Sequence, residues 1–136
     1  MTTLERARKV FAADRFATAL SGIEITAVGE HSAECRMKLG ADHCNARGAA
    51  MGGVLFTLAD FAAAVAANSD CFDSELHWVS LDATIHYLAP APVDTSLVAA
   101  CSALKTGRTT ALFQTTIESL GSSKRIAVVE TTMIRI

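Results

Sequence analysis

The sequence predicts an α+β domain in which an antiparallel sheet wraps around one long, buried helix. Between Val54 and Ala67 only Thr57 and Asp60 are polar, and a helix that is apolar all round is expected to be buried on nearly all sides. Several other segments alternate apolar and polar residues, the period of half-buried antiparallel strands. Two such segments precede the apolar helix and four follow it, joined by short turns, the order of a sheet folded over a single helix. With 136 residues and no repeat or linker, residues 1–136 are expected to form one domain.

Leu4, Ala7, Val10 and Phe11 recur at helical spacing among Arg6, Arg8 and Lys9, so a surface helix is expected over residues 3 to 13. An irregular or short helical piece then ends near Gly22. Ile23, Ile25 and Ala27 alternate with Glu24 and Thr26, giving a first strand that stops around Gly29. In the second, Ala33, Cys35, Met37 and Leu39 face one way and Ser32, Glu34, Arg36 and Lys38 the other. Gly40 to Ala50 reads as a loop, and Asn68 to Ser74 as a polar break after the apolar helix. From Trp78 to Leu88, Val79, Leu81, Ala83, Ile85 and Tyr87 alternate with Ser80, Asp82, Thr84 and His86, until Pro90 and Pro92 end the strand. Strands over Thr95 to Thr106, Arg108 to Ser119 and Arg125 to Ile136 complete the chain, with hairpin turns at residues 105–108 and 121–124.

Composition narrows the function. Hydrophobic residues make up 51% of the chain and charged ones 19%, which excludes disorder. The 12 Lys+Arg and 14 Asp+Glu leave a net charge of −2 with no basic run, so no nucleic-acid partner is expected. So apolar a chain points to surface buried against a second subunit. The most apolar stretch, Ala49 to Ala67, contains Gly52, Gly53 and Asp60 and is rich in Ala, so no membrane span is expected. The start, MTTLERARKVF, lacks the apolar core of a signal peptide, and Cys35, Cys44, Cys71 and Cys101 form no CxxC pair. A cytoplasmic protein with reduced thiols is expected.

Asp60 carries the most information. A carboxylate within an apolar helix is costly to desolvate unless it is paired, hydrogen-bonded or lines a cavity, so it is either a structural network residue or a functional one. Gly52-Gly53 stands where the loop becomes the helix. Free amides at a helix start stabilise negative charge and can hold a developing oxyanion, although small residues there also let a helix approach a sheet. His43, Cys44, Cys71 and Asp73 lack the spacing of a metal site, and none is expected.

The segment His43-Cys44-Asn45-Ala46-Arg47-Gly48-Ala49-Ala50-Met51-Gly52-Gly53, followed by Leu58-Ala59-Asp60, resembles the signature of hotdog-fold acyl-CoA thioesterases of the phenylacetate-pathway (PaaI-like) group. Val79-Ser80-Leu81-Asp82-Ala83-Thr84-Ile85-His86-Tyr87-Leu88-Ala89-Pro90-Ala91 is similar to the strand and Pro-containing turn that follow in that family. The resemblance implies hydrolysis of a small or medium acyl or aryl thioester of CoA, with no cofactor. It implies Asp60 as base or nucleophile, Gly52 as backbone donor to the thioester carbonyl, and Asn45 positioning water or that carbonyl. Ser80 would lie beside Asp60, with Met51 and Gly53 lining the substrate pocket. Met51 occupies the place of the family's His, and a thioether can neither donate a hydrogen bond nor carry a proton. Lys105 and Arg108, near a hairpin turn, are candidates for the phosphates of CoA. The resemblance also implies a homodimer whose sites are shared between subunits, and a homotetramer built from such dimers. A non-catalytic hotdog protein that binds acyl-CoA is the alternative, favoured by Met51 and opposed by Asp60.

Overall fold

A computed structural model describes residues 1–136, the whole chain. Helix α1 (Thr3–Phe11) starts at a capping box: Thr2 Oγ1 accepts from the Glu5 amide at 3.1 Å, and a Glu5 carboxylate oxygen accepts from the Thr2 amide at 3.0 Å. It buries Ala7 and Phe11 and ends at Phe11, two residues earlier than expected. A short π-helical turn (Phe16–Leu20) then leads to β1 (Glu24–Gly29) and β2 (Ser32–Lys38). A single 3-10 turn (Ala41–His43) precedes α2 (Gly52–Ala67), which is followed by β3 (Trp78–Tyr87), β4 (Ser96–Thr106), β5 (Thr110–Ser119) and β6 (Arg125–Arg135).

The six strands form one antiparallel sheet in the order β1-β2-β4-β5-β6-β3. β2 and β3 flank α2 in sequence but stand near opposite edges of the sheet, so α2 carries the chain across its inner face. Leu58, Ala59, Ala62, Ala63, Val65 and Ala66 of α2 are inaccessible to solvent, and the small alanines let the helix lie close to the strands. Phe11 stacks edge-on against Phe61 and Phe72, with ring centres 5.6 and 6.0 Å apart, which fixes α1 to α2 and to the loop after it. The α+β architecture, sheet wrapped on helix, is the expected one.

α2 begins at Gly52, where the loop was expected to become the helix. Four local expectations are corrected. First, β5 begins at Thr110, two residues later than expected. Second, α2 is not covered on all sides: Gly53 is exposed, and Phe56, Thr57, Asp60 and Ala64 are only half-buried. Their spacing of three and four places them on one stripe, and the sheet covers the other faces. Third, residues 68–74 are not simply a polar break, because Asn68, Cys71 and Phe72 are buried. Fourth, the even alternation in both edge strands fails. β3 has a bulge at Leu81, where Ser80 pairs with Met133 and Asp82 with Thr132. Trp78, Ala83 and Ile85 therefore pack on the core, while Val79 and Leu81 are 44% and 56% exposed. β1 has a similar irregularity at Thr26, which leaves Ala27 exposed and turns Val28 to the core.

Candidate active site

The bulge in β3 has a direct consequence for Ser80. Uninterrupted alternation would set Ser80 opposite the core-facing side chains of its strand. With Leu81 unpaired, Ser80 instead shares the inward side with Trp78, and its hydroxyl donates to Asp60 Oδ1 at 2.7 Å. Asp60 forms no ion pair, and its Oδ2 has no hydrogen-bond partner within the chain. The serine thus orients a half-buried carboxylate and leaves one oxygen open to a water or a substrate.

At the other end of the helix, Met51 is the N-cap and makes no side-chain capping bond. The amides of Gly52 and Gly53 have no acceptor in the chain, as expected at a helix start. The Tyr87 ring lies over Gly52, and its hydroxyl donates to the Gly52 carbonyl at 3.1 Å. A Cβ on Gly52 would come within 2.9 Å of that hydroxyl and 3.0 Å of the ring, so the close approach demands glycine.

The loop before α2 is held by Asn45. Its Oδ1 accepts from the amides of Arg47 (2.9 Å) and Ala49 (3.3 Å), while its backbone carbonyl accepts from Gly48 (3.0 Å). Gly48 has φ +78°, the left-handed conformation this tight turn requires. The side-chain oxygen of Asn45 is therefore a turn former, and its Nδ2 protons make no hydrogen bond in the chain. Both sequence readings of Asn45 are compatible with this, because they use different atoms.

Asn45, Arg47, Gly52, Leu55 and Tyr87 line one open cavity of about 450 Å³, whose remaining walls are Ala49, Ala50 and the turn Leu88–Ala91. Arg47 is its one charged lining residue and is engaged in no ion pair. Such a cavity, apolar with a few polar groups at one side, is of the size that holds a small organic group.

The structure thus brings Asn45 and Gly52 together, and separately Asp60 and Ser80. Gly52 and Asp60 are eight residues apart on α2, about 12 Å along its axis. Met51 and Gly53 do not line the cavity: Met51 is 54% exposed and its methyl rests near Gly53. Lys105 lies in the last two residues of β4 and Arg108 in the turn after it, at the end of the sheet where Trp78 begins β3. Tyr87 lies nine residues along that strand, about 30 Å away. Within one chain these two cations are remote from the cavity. Sequence reasoning missed Tyr87, placed on the apolar side of an alternating strand, and Arg47, placed in the loop before α2. The Tyr-Leu-Ala-Pro run at the strand's end was the available signal for the first. No three His, Cys, Asp or Glu side chains converge to hold a metal ion.

Comparison with known proteins adds four findings. Residues 47–126 match the family profile described as thioesterase superfamily. Human acyl-coenzyme A thioesterase 13 is 30% identical over 115 residues, which is 85% of this chain and 81% of that protein. Among solved structures, the E. coli PaaI protein from the phenylacetic acid degradation operon superposes with a TM-score of 0.84 at 28% identity, covering 99% of this chain and 96% of that one. Mouse thioesterase superfamily member 2 gives a TM-score of 0.79 at 26% identity, over 98% and 93% of the two chains.

Proposed function

The chain belongs to the thioesterase superfamily and is a hotdog-fold acyl-CoA thioester hydrolase; we propose that Asp60 is its base or nucleophile and that Gly52 and Asn45 bind the thioester carbonyl. The observation that carries this assignment is the pair of unused groups: Asp60 Oδ2 at mid-helix, and free amides at the start of the same helix beside a cavity. As base, Asp60 takes a proton from water, and the resulting hydroxide attacks the carbonyl carbon. As nucleophile, its oxygen forms a mixed anhydride that water then opens. In both routes the carbonyl oxygen becomes negative before the C–S bond breaks and CoA leaves as the thiolate. The Gly52 amide, with Asn45 Nδ2, is directed at that charge as it develops. The cavity walls suit a small or medium acyl or aryl group.

The 12 Å between Gly52 and Asp60 supports a site shared by two protomers, because a base and an oxyanion donor must both lie within a few ångströms of one carbonyl. β3 is an edge strand with exposed Val79 and Leu81, and the half-open stripe of α2 includes Asp60. Antiparallel pairing of two β3 edges sets the Ser80 end of one strand beside the Tyr87 end of its copy, and so brings Asp60 of one protomer to Gly52 of the other. The same pairing carries the partner's hairpin, with Lys105 and Arg108, to the cavity's end of the joined sheet, where they and Arg47 can meet CoA phosphates. No helix is long and apolar enough to cross a membrane. Four unpaired thiols support a cytoplasmic location, and the whole chain acts as one domain.

The test is thiol release from a panel of acyl-CoA thioesters. Wild-type protein releases CoA from short and aryl members, and Asp60→Asn, of the same shape, is at least about a hundredfold slower while remaining folded. Wild-type turnover by a folded Asp60→Asn overturns the assignment. Binding of intact thioesters with no thiol release by the wild type makes the chain a binding protein.

A further inference from the structure

Asn68 is the largest polar question left in the core. It closes α2, is only 1% exposed, and every atom of its amide is engaged. Nδ2 donates to the Ala64 carbonyl at 2.9 Å and to the Trp78 carbonyl at 3.1 Å. Oδ1 accepts from the His77 and Trp78 amides, both at 3.0 Å, and from the Cys71 thiol at 3.4 Å. One side chain therefore grips the last turn of α2 and the first residue of β3 on both its N–H and its C=O. An amide that only needed satisfying inside a loop would not have to span two elements.

These are the two elements that supply Asp60 and Ser80. Ala64 to Asp60 is four helical residues, a rise of about 6 Å. Trp78 to Ser80 is two strand residues, about 6.6 Å, and both point inward because the bulge comes only at Leu81. The two steps match, so a rung fixed between Ala64 and Trp78 sets the next rung between Asp60 and Ser80. A slip of one residue at Trp78 would turn Val79 toward Asp60 and the serine away. Hydrogen bonding through the nearest edge, β3 to β6, does not by itself prevent this slip, because it says nothing about where α2 lies along the strand. Asn68 is the polar contact nearest the pair that joins helix to strand; the next, Tyr87 to Gly52, is beyond the bulge.

We propose that Asn68 is a positioning residue for the reaction, holding β3 in the phase that places the Ser80 hydroxyl on the Asp60 carboxylate. The inference rests on the assignment of Asp60 above. It acts through geometry at one hydrogen bond and touches no residue lining the cavity, so its loss lowers kcat and leaves acyl-CoA binding largely intact.

A double-mutant cycle tests it on the full-length protein. The variants are Asn68→Asp, which keeps the acceptors and removes both donors, Asn68→Ser, Ser80→Ala, the two combinations and Asp60→Asn. Each is assayed at least 10 °C below its own melting temperature (about that margin suffices to exclude unfolded protein). Ser80→Ala lowers kcat about tenfold, and an Asn68 variant lowers it to a similar level with KM changed less than about twofold. Adding the Asn68 substitution to Ser80→Ala then costs less than about twofold more, because there is no hydroxyl left to misplace. Equal fold-losses from Asn68 substitution in both backgrounds, a Ser80→Ala variant with wild-type kcat, or failure of both Asn68 variants to fold each overturns the proposal. Asp60→Asn keeps the levels apart. If it is inactive while the cycle is additive, only the role of Asn68 is lost; if it is active, the assignment of the base falls first.

Discussion

At Gly52 the requirement falls on the missing side chain as much as on the amide. The Tyr87 ring occupies the volume a Cβ would need, and the tyrosine hydroxyl holds the Gly52 carbonyl, so the free N–H is fixed in direction. Gly52→Ala keeps that N–H but displaces the ring, and its kcat is expected to fall at least about tenfold with the fold retained. Gly53→Ala meets only the flexible methyl of Met51, so it should cost less than about threefold. Steady-state kinetics of the two variants side by side check this contrast. The residue types at Asn45, Gly52 and Asp60 were legible in the sequence because an Asn, a helix-start glycine and a lone carboxylate each stand out from their surroundings. Tyr87 did not stand out, since an aromatic residue in an alternating strand looks like core; only its contact with a residue 35 positions earlier distinguishes it.

At the level of elements, β2 and β4 bring two thiols into the core on neighbouring strands, Cys35 opposite Ala99 and Cys101 opposite Ala33. Burial pushes the Cys35 thiol up to about 12, helped by the nearby Cys101 and Glu34, and burial pushes Cys101 up to about 11. Both folded values exceed the ordinary 9.0. Their contribution to stability is therefore complete below pH 9 and is lost as the unfolded chain ionises above it. The loss continues up to about pH 11 for Cys101 and about pH 12 for Cys35, with a slope approaching about 1.4 kcal/mol per pH unit for each thiol. Urea melts of wild type should show this decline between pH 9 and 11, and the double variant Cys35→Ala with Cys101→Ala should flatten it. Each helix and strand was foreseeable from periodicity to within a few residues, but the bulges at Thr26 and Leu81 were not. A bulge is a property of pairing: Leu81 is left without a partner between Ser80 and Asp82 because their partners on β6, Met133 and Thr132, are consecutive, and that neighbour lies about fifty residues away in sequence. The inward turn of Ser80 was hidden for the same reason.

For the molecule as a whole, Lys105 and Arg108 are remote from the cavity of their own chain because β4 runs from the Tyr87 end of the sheet to its Trp78 end. Strands adjacent in sequence across α2 are separated in space by β4, β5 and β6, and no periodicity records that order. The shared site can be tested at this scale with two variants, Asp60→Asn and Asn45→Ala, each nearly inactive alone. When equal amounts are unfolded and refolded together, about half of the dimers are mixed, and each mixed dimer has one site with both defects and one with neither. Activity should return to about a quarter of the wild-type level, with mixed dimers counted by mass spectrometry; no return despite mixed dimers confines the site to one protomer. The free edge of β3 has one more consequence. A separated protomer presents a row of unpaired strand N–H and C=O groups flanked by Val79 and Leu81, the kind of template on which chains aggregate. If the proposed pairing of two β3 edges holds, dilution takes away activity and uncovers this edge at the same threshold concentration, one dissociation constant setting both.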